Sequence, residues 1–294
     1  MRERDRSLSL TLSLPLGQWL SGGGKAADIT ATTPPVYGVY TSTTDTHGRL
    51  RQQAGVSGSL LEDNSLGYSV QQGYGNRGDG ANGSVSLSYQ GGYANSNMGY
   101  NYSRGARQLN YGLSGGIVIH EEGLTLSQPL SDTNVLIAAP GTRHARVENT
   151  TGVRTDRKGY TVLPYATTYR QNRIALDVNS LDNATEIDDP VTRVVPTKGA
   201  LVKAQFTVQR GARAMITLQQ YNGRPVPFGA MVTRANAGSG IVNESGQVYL
   251  SGLEGAGALT VMWGTAPDQQ CTVRYRLPAG AEQKPINHIK AACQ

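Results

Sequence analysis

An all-β fold is predicted, with membrane-barrel strands over the first 130 residues or so and small sandwich-like modules after them. Three observations predict it. Apolar residues alternate with small polar ones in successive runs of the first part, the period of a strand with two unlike faces. The 294 residues include 37 glycines and 15 tyrosines beside two phenylalanines, and tyrosine, apolar in body and polar at its tip, suits half-wet sheets and membrane interfaces. No apolar run approaches the ~20 residues a spanning helix needs, so any membrane crossing must be made by a closed barrel.

In chain order, Arg6 to Leu16 sets Leu8, Leu10, Leu12, Leu14 and Leu16 on one face and Ser7, Ser9, Thr11, Ser13 and Pro15 on the other. Further strands are predicted over Ile29 to Thr41, Arg49 to Leu60, Leu66 to Gly75, Val85 to Gly91, Met98 to Ser103, Leu109 to Val118 and Leu124 to Leu130. Turn-like stretches such as SGGGKAAD, DTHG, LEDN, GNRGDGANG, YANSN and HEEG separate them. Eight strands is an even number, which returns the chain to the side it entered from and delivers whatever follows Leu130 there. One such strand would serve a soluble sandwich equally well. The repetition, the polar face of Ser, Thr, Asn, Gln and Gly, and the shortage of large apolar residues for a two-sheet core favour the membrane barrel.

After Leu130 the composition changes. Asn134 to Pro140, NVLIAAP, is continuously apolar, as a buried strand of a small globular module is. Runs at Arg146 to Val147, Tyr160 to Leu163, Ile174 to Val178, Arg193 to Val195 and Leu201 to Val208 follow, spaced by turns. Within the connecting stretch from Gly152 to Leu181, Gly152 and Gly159 are expected at turns and Pro164 at a strand start or edge. There Ile174, Leu176 and Val178 alternate with Arg173, Ala175 and Asp177 as one buried face. A second module begins near Ala212, with strands over Ala214 to Gln220, Met231 to Thr233, Gln247 to Ser251, Leu259 to Trp263 and Cys271 to Leu277. YNGRP, Tyr221 to Pro225, is its Asn-Gly hairpin turn. The expected domains are therefore 1–130, 131–210 and 211–294.

The formal charge of +6 permits an acidic partner, but the basic residues are scattered and no basic-plus-aromatic motif supports nucleic-acid binding. Cys271 and Cys293 lie close in sequence; a bridge between them would close a short loop worth about 3 kcal/mol, and two buried free thiols are the alternative. The N-terminal MRERDRSLSL lacks the apolar core of a secretion signal, which leaves a protein that stays inside or the tail of a longer exported chain.

Motifs for chemistry are weak throughout. SGGGKA, Ser21 to Ala26, would need Gly at Trp19 and Ser or Thr at Ala26 to be a phosphate loop, so it is expected to be a flexible loop. His47, His120, His144 and His288 are far apart, without a second ligand type at metal spacing. Glu121 with Glu122, and Asp188 with Asp189, are adjacent pairs, which on a strand point to opposite faces. No nucleophile elbow has His and acid partners in a credible context. Tyr37, Tyr40, Phe228 and Met231 are expected as core or interface anchors. No catalytic, cofactor or metal residue is assigned.

Several longer pieces are far more specific: LLEDNSLGYSVQQGY from Leu60, LSQPLSDTNVLIAAPG from Leu126, VENTTGVRTDRKGYTVLPYATTYRQNRIALD from Val147, VVPTKGALVKAQF from Val194, PVPFGAMVT from Pro225 and GIVNESGQVYLSGL from Gly240. On these residues nearly the whole chain resembles the C-terminal part of an outer-membrane usher of the chaperone–usher pilus pathway, of the type 1 fimbrial kind. The resemblance implies the last strands of a wide translocation barrel up to about Leu130, then two periplasmic domains, the second with Cys271 and Cys293 paired. It implies a non-enzymatic role in the outer membrane without a cofactor, with periplasmic chaperone–pilus subunit complexes, pilus subunits and outer-membrane lipid as partners. Among exposed positions, Arg213, Tyr221 and Arg224 are candidate partner contacts.

A family signal peptide, chaperone-receiving domain, earlier strands and plug have no counterpart in these residues. Eight strands cut from a wide barrel leave two unpaired edges, so this polypeptide alone is expected not to form the native pore. Two other classes remain: a soluble carbohydrate-binding or adhesive β protein, and a sandwich enzyme, which would need Glu121 or Asp188 in a cleft beside a second acid.

Overall fold

The computed structural model describes residues 6–17, 36–61, 63–234, 237–266 and 269–294. The chain divides into two units. One holds Met1–Asn134, Asn149–Val153 and Val162–Tyr165; the other holds Val135–Glu148, Arg154–Thr161 and Ala166–Gln294. The phosphate-loop-like segment at Ser21 to Ala26 and the first residues of the strand expected from Ile29 lie outside the described residues.

The first unit is built on one antiparallel sheet of seven strands in sequence order, β1 (Ser7–Pro15), β2 (Val36–Asp45), β3 (Leu50–Leu60), β4 (Leu66–Gly75), β5 (Gly80–Gln90), β6 (Asn95–Ser103) and β7 (Ala106–Ser114). Among the described residues β1 and β7 are its edges, and the sheet does not close on itself. Short turns join neighbours, and those after β2, β3 and β4 hold residues at positive φ, including Gly48 at φ 70°, Asn64 at 55°, Arg77 at 53° and Gly78 at 103°.

The expected eight strands are corrected to seven and a hairpin. The run from Leu109 to Val118 breaks at Gly115, and Gly116–His120 pairs only with Gly123–Ser127 in a separate two-stranded sheet. Space forces the break: a Cβ on Gly115 would sit 3.0 Å from the Ser127 carbonyl oxygen, so the chain can turn out of the large sheet only without a side chain there. With seven strands, Ser7 and Ser114 finish at opposite rims, and the even-number argument for a same-side exit does not apply to this sheet.

The strand Asn134–Ala138, whose last four residues open the second unit, is buried throughout, with Val135 and Ile137 fully inaccessible, as its continuous apolar run requires. The Ala138 carbonyl accepts from the Phe206 amide at 2.8 Å, and the Gly159 carbonyl accepts from the Ala139 amide at 2.9 Å. Gly152, in the first unit, and Gly159, in the second, take positive φ, as expected of turns. The expected alternation from Ile174 to Val178 fails, however. The strand ends at Ala175, and Ile174, Ala175 and Leu176 are all buried while Val178 is half exposed. Leu176 forms a lone bridge to Val147, and Asp177 then accepts from the Asn179 amide to start a 3-10 turn. Local capping overrides a pattern too short to specify a face.

The last part of this unit is two sheets sharing one apolar cluster. Ala212–Gln219 is the centre of the first, antiparallel to Gln247–Leu253 and parallel to Asn287–Ala292. The second runs in the order Ala237–Ile241, Met231–Arg234, Ala256–Met262, Gln270–Arg276. Alternation decides what goes inside: Ala214, Ile216 and Leu218 from one sheet and Val232, Leu259, Val261 and Val273 from the other all join the cluster, each large one contributing roughly 1.5–3 kcal/mol. Asn287–Ala292 was not expected from the sequence, because NHIKAA has only Ile289 and the alanines to mark a buried side.

Candidate functional site

The seven-stranded sheet has two chemically opposite faces, and its register makes them continuous. Val56 pairs with Val70, Val70 with Val85, Val85 with Tyr100 and Tyr100 with Leu109, so one apolar row crosses five strands. Leu10, Leu12 and Leu14 of β1 and Leu87, Met98, Tyr111 and Leu113 extend the same face, all exposed, with Tyr111 at 85%. A soluble protein rarely leaves so much contiguous apolar surface bare, whereas an apolar band on a β wall is what lipid requires.

The other face carries Ser, Thr, Asn, Gln and Gly. Ser9 and Thr43 hydroxyls are 2.9 Å apart, Gln53 donates to Gln71, and Asn101 Nδ2 donates to Asn110 Oδ1 at 3.4 Å. Glycine recurs opposite these amides: Gly73 pairs with Asn82, Gly99 with Asn110 and Gly112 with Asn97. A Cβ on Gly99 would lie 2.8 Å from the Asn110 amide, and one on Gly73 2.6 Å from Asn82. The amides therefore lie flat across bare backbone, giving a polar, low-relief surface with little charge.

In the second unit Cys271 and Cys293 are joined in a disulfide and nearly buried. It ties Gln270–Arg276 to the residue that follows Asn287–Ala292, which bridges Val273, and so links the two sheets of the cluster. Of the candidate contacts, Tyr221 is 71% exposed and Arg224 is exposed, both in the Gln220-to-Pro225 turn closed by the Gln220 and Gly223 amides. Arg213 is not the exposed side chain expected. Its Nη2 donates to the Thr185 carbonyl at 2.6 Å and its Nε lies 3.5 Å from Glu186 Oε2. The reason is neighbourhood: Thr185–Ile187 lies beside the start of Ala212–Gln219, and sequence distance hid it. Glu186 was missed for the same reason, since its other partner, Tyr249, is 63 residues away.

Sequence reasoning also missed one surface feature. Met231 stands opposite Ile241 on one side and Met262 on the other, and all three are exposed, with Phe228 nearby at 71%. Phe228 and Met231 are thus surface residues and not core; Ile241 was hidden because Ala237–Ile241 has too little pattern to be recognised as a strand.

Nothing brings the histidines or paired acids into a reactive arrangement. His120 Nδ1 accepts from the Glu122 amide at 3.3 Å, which makes Nε2 the protonated nitrogen that donates to Thr125 Oγ1 at 2.9 Å. Asp188 accepts from Gln209 Nε2 at 2.8 and 3.1 Å, and Asp189 from the Val191 amide at 3.1 Å. No group of three or more His, Cys, Asp or Glu side chains is placed to hold a metal among the described residues. These polar groups hold turns together.

A two-faced meander of this kind, followed by small β modules, defines wall strands of an outer-membrane-type β-barrel. Family comparison narrows this: residues 1–206 match the outer membrane usher protein family and residues 215–279 match the PapC C-terminal domain. The chain belongs to the outer membrane usher family. It is 47% identical over 295 residues to the outer membrane usher protein FimD of Escherichia coli K12, covering 99% of this chain and 33% of that one. It is 45% identical to the outer membrane usher protein LpfC of Salmonella typhimurium LT2, with the same coverage. The chain thus spans about a third of the length of these curated relatives. The fold also resembles a chain of an Escherichia coli P pilus tip assembly intermediate, PapC-PapD-PapK-PapG, solved by cryo-electron microscopy. The TM-score is 0.55 at 23% identity, over 98% of this chain and 33% of that one.

Proposed function

We propose that this chain serves as the C-terminal part of a fimbrial usher, an outer-membrane pore and platform on which chaperone-delivered pilus subunits are assembled. The observation that carries the reading is the unbroken apolar row from Val56 to Leu109 backed by a face of Ser, Thr, Asn, Gln and Gly. The apolar side meets lipid and the polar side meets passing protein. The role is not enzymatic. Exchange of one β-strand donor for another, the chaperone's strand for the next subunit's extension, supplies the driving force by β-augmentation. Residues 131–210 and 211–294 act as two periplasmic domains that receive chaperone–subunit complexes. Tyr221 and Arg224 are exposed contacts there, and Arg213 acts indirectly by fixing Thr185 and Glu186.

Replacing the matching third of the Escherichia coli relative with residues 1–294 tests this. Surface pili in a strain lacking its own usher are the expected result. A chimera that inserts in the outer membrane, shows a heat-modifiable barrel on gels and yet assembles no pili would overturn the reading.

A further inference from the structure

The hairpin that leaves the large sheet, Gly116–His120 with Gly123–Ser127, is built inside out. Its register sets Ile117 opposite Leu126 and Ile119 opposite Leu124 on one face, and Val118 opposite Thr125 and Gly116 opposite Ser127 on the other. All four aliphatic side chains of the first face are exposed, Ile119 at 81%. The second face is buried, and it is the one that holds the hydroxyls of Thr125 and Ser127. Both are satisfied within the hairpin and its exit, Thr125 by His120 Nε2 at 2.9 Å and Ser127 by donating to the Gln128 carbonyl at 2.8 Å.

A two-faced hairpin in water turns its apolar side to the core and its polar side to solvent. Here the order is reversed, as it is in the large sheet, and apolar-out with polar-in is the arrangement of a surface solvated by hydrocarbon.

The hairpin is also rooted where the apolar face of the sheet ends. The last row of that face runs through Leu60, Leu66, Tyr89, Ser96 and Leu113. Two residues after Leu113, Gly115 fits between the hairpin and the turn that joins β5 to β6. A Cβ on it would lie 3.0 Å from the Ser127 carbonyl oxygen, 3.2 Å from that of Tyr93 and 3.3 Å from the Ala94 Cβ. The base of the hairpin is thus held at this rim. Tyr89 of the last row and Tyr93 of the turn are exposed, and tyrosine is enriched at the boundary between membrane and water.

Strands of five residues fall short of the roughly 9–11 that a membrane-spanning strand needs, so the hairpin can lie in an interface but cannot cross. Glu121 and Glu122 at its tip are exposed, and carboxylates stay in water. The bare face suits lipid better than a protein partner: it carries no Trp, Tyr or Arg, the side chains that anchor protein interfaces, and no side-chain hydrogen-bonding group.

We propose that this hairpin is an interfacial membrane anchor, with Ile117, Ile119, Leu124 and Leu126 among the acyl chains of the leaflet nearest the rim that bears Ser114. The assignment rests on the reading above in which the apolar face of the sheet meets lipid.

The test uses the same chimera carrying I119C, L124C, L113C or E121C, labelled with an environment-sensitive fluorophore under non-reducing conditions, with the parent chimera as the labelling blank. Each is reconstituted in vesicles of phosphatidylethanolamine and phosphatidylglycerol, with doxyl-labelled lipid or aqueous iodide as quencher. I119C and L124C should lose fluorescence to doxyl lipid as L113C does, while E121C should lose it to iodide. Heat-modifiable migration on gels establishes that each barrel is folded, and L124C reads the same face if I119C does not fold. Quenching of the hairpin labels by iodide, or shielding from both quenchers by covering protein, overturns the anchor. With L113C quenched by lipid, that failure is confined to the hairpin; if L113C also escapes lipid, the lipid-facing wall falls too. A chimera whose hairpin meets lipid but which makes no pili leaves the anchor standing while the assembly reading falls.

Discussion

Tyr249 donates its phenolic proton to Glu186 Oε2 at 2.9 Å, and the same carboxylate oxygen lies 3.5 Å from Arg213 Nε. Three residues far apart in sequence thus meet at one carboxylate. Partial burial, reinforced by the hydrogen bond to Glu186 and that group's negative charge, pushes the Tyr249 pKa up to about 12 from 10.0.

A raised folded-state value means that the protonated phenol is the form the native state prefers. Its stabilising contribution is complete below the ordinary value of 10.0 and is lost as pH climbs through the native value of about 12. Thermal unfolding of the parent and Y249F across that range should show a gap that is constant on the acid side and closes on the alkaline side. A gap that widens with pH would contradict the assignment.

The disulfide spans 22 residues, so C271A/C293A should lose about 3 kcal/mol of unfolding free energy by the chain-entropy account. Denaturant titration followed by Trp263 fluorescence in a W19F background measures this near the cluster. An unchanged midpoint would mean that Asn287–Ala292 is held by its parallel pairing alone.

Val70 and Ser69 are neighbours in β4 on opposite faces of the sheet. In the chimera, V70R places a charge mid-row on the apolar face and should cost about 2–4 kcal/mol, whereas S69R on the polar face should cost little. The yield of heat-modifiable barrel in outer-membrane fractions compares them, and equal yields would remove the distinction between the faces.

Gly152 and Gly199 both take positive φ, at 75° and 78°, but differ in surroundings. A Cβ at Gly199 meets nothing within 4 Å, while one at Gly152 would overlap the Gln90 carbonyl at the end of β5. G199A should therefore cost only the left-handed strain of about 1–2 kcal/mol. G152A should cost more, because residues 149–153 must lift from the strand end, where Gln128 Nε2 also holds the Thr151 carbonyl at 2.8 Å. Limited proteolysis near Thr151 should rise in G152A alone.

Strand positions in the first unit were legible in the sequence because alternation there is long and chemically sharp. Leu8 to Leu14 against Ser7 to Ser13 admits one period and one assignment of faces. The buried run at Asn134 was legible for the opposite reason, being apolar without interruption. Ile174 to Val178 was misread because three apolar residues cannot outvote a lone bridge and an Asp cap. Ala237–Ile241 and Asn287–Ala292 carry too little pattern to be recognised at all, and pairing with a strong neighbouring strand makes them β.

By itself the sequence determined the all-β class, the two-faced wall, the change of architecture after Leu130 and the family. These follow from local periodicity and from long specific segments such as LLEDNSLGYSVQQGY. Tertiary structure alone decided that the large sheet has seven strands and that Arg213 is tied to Glu186. Each depends on which distant residues come to lie side by side. Register and chain crossing set that, and no single stretch of residues encodes either.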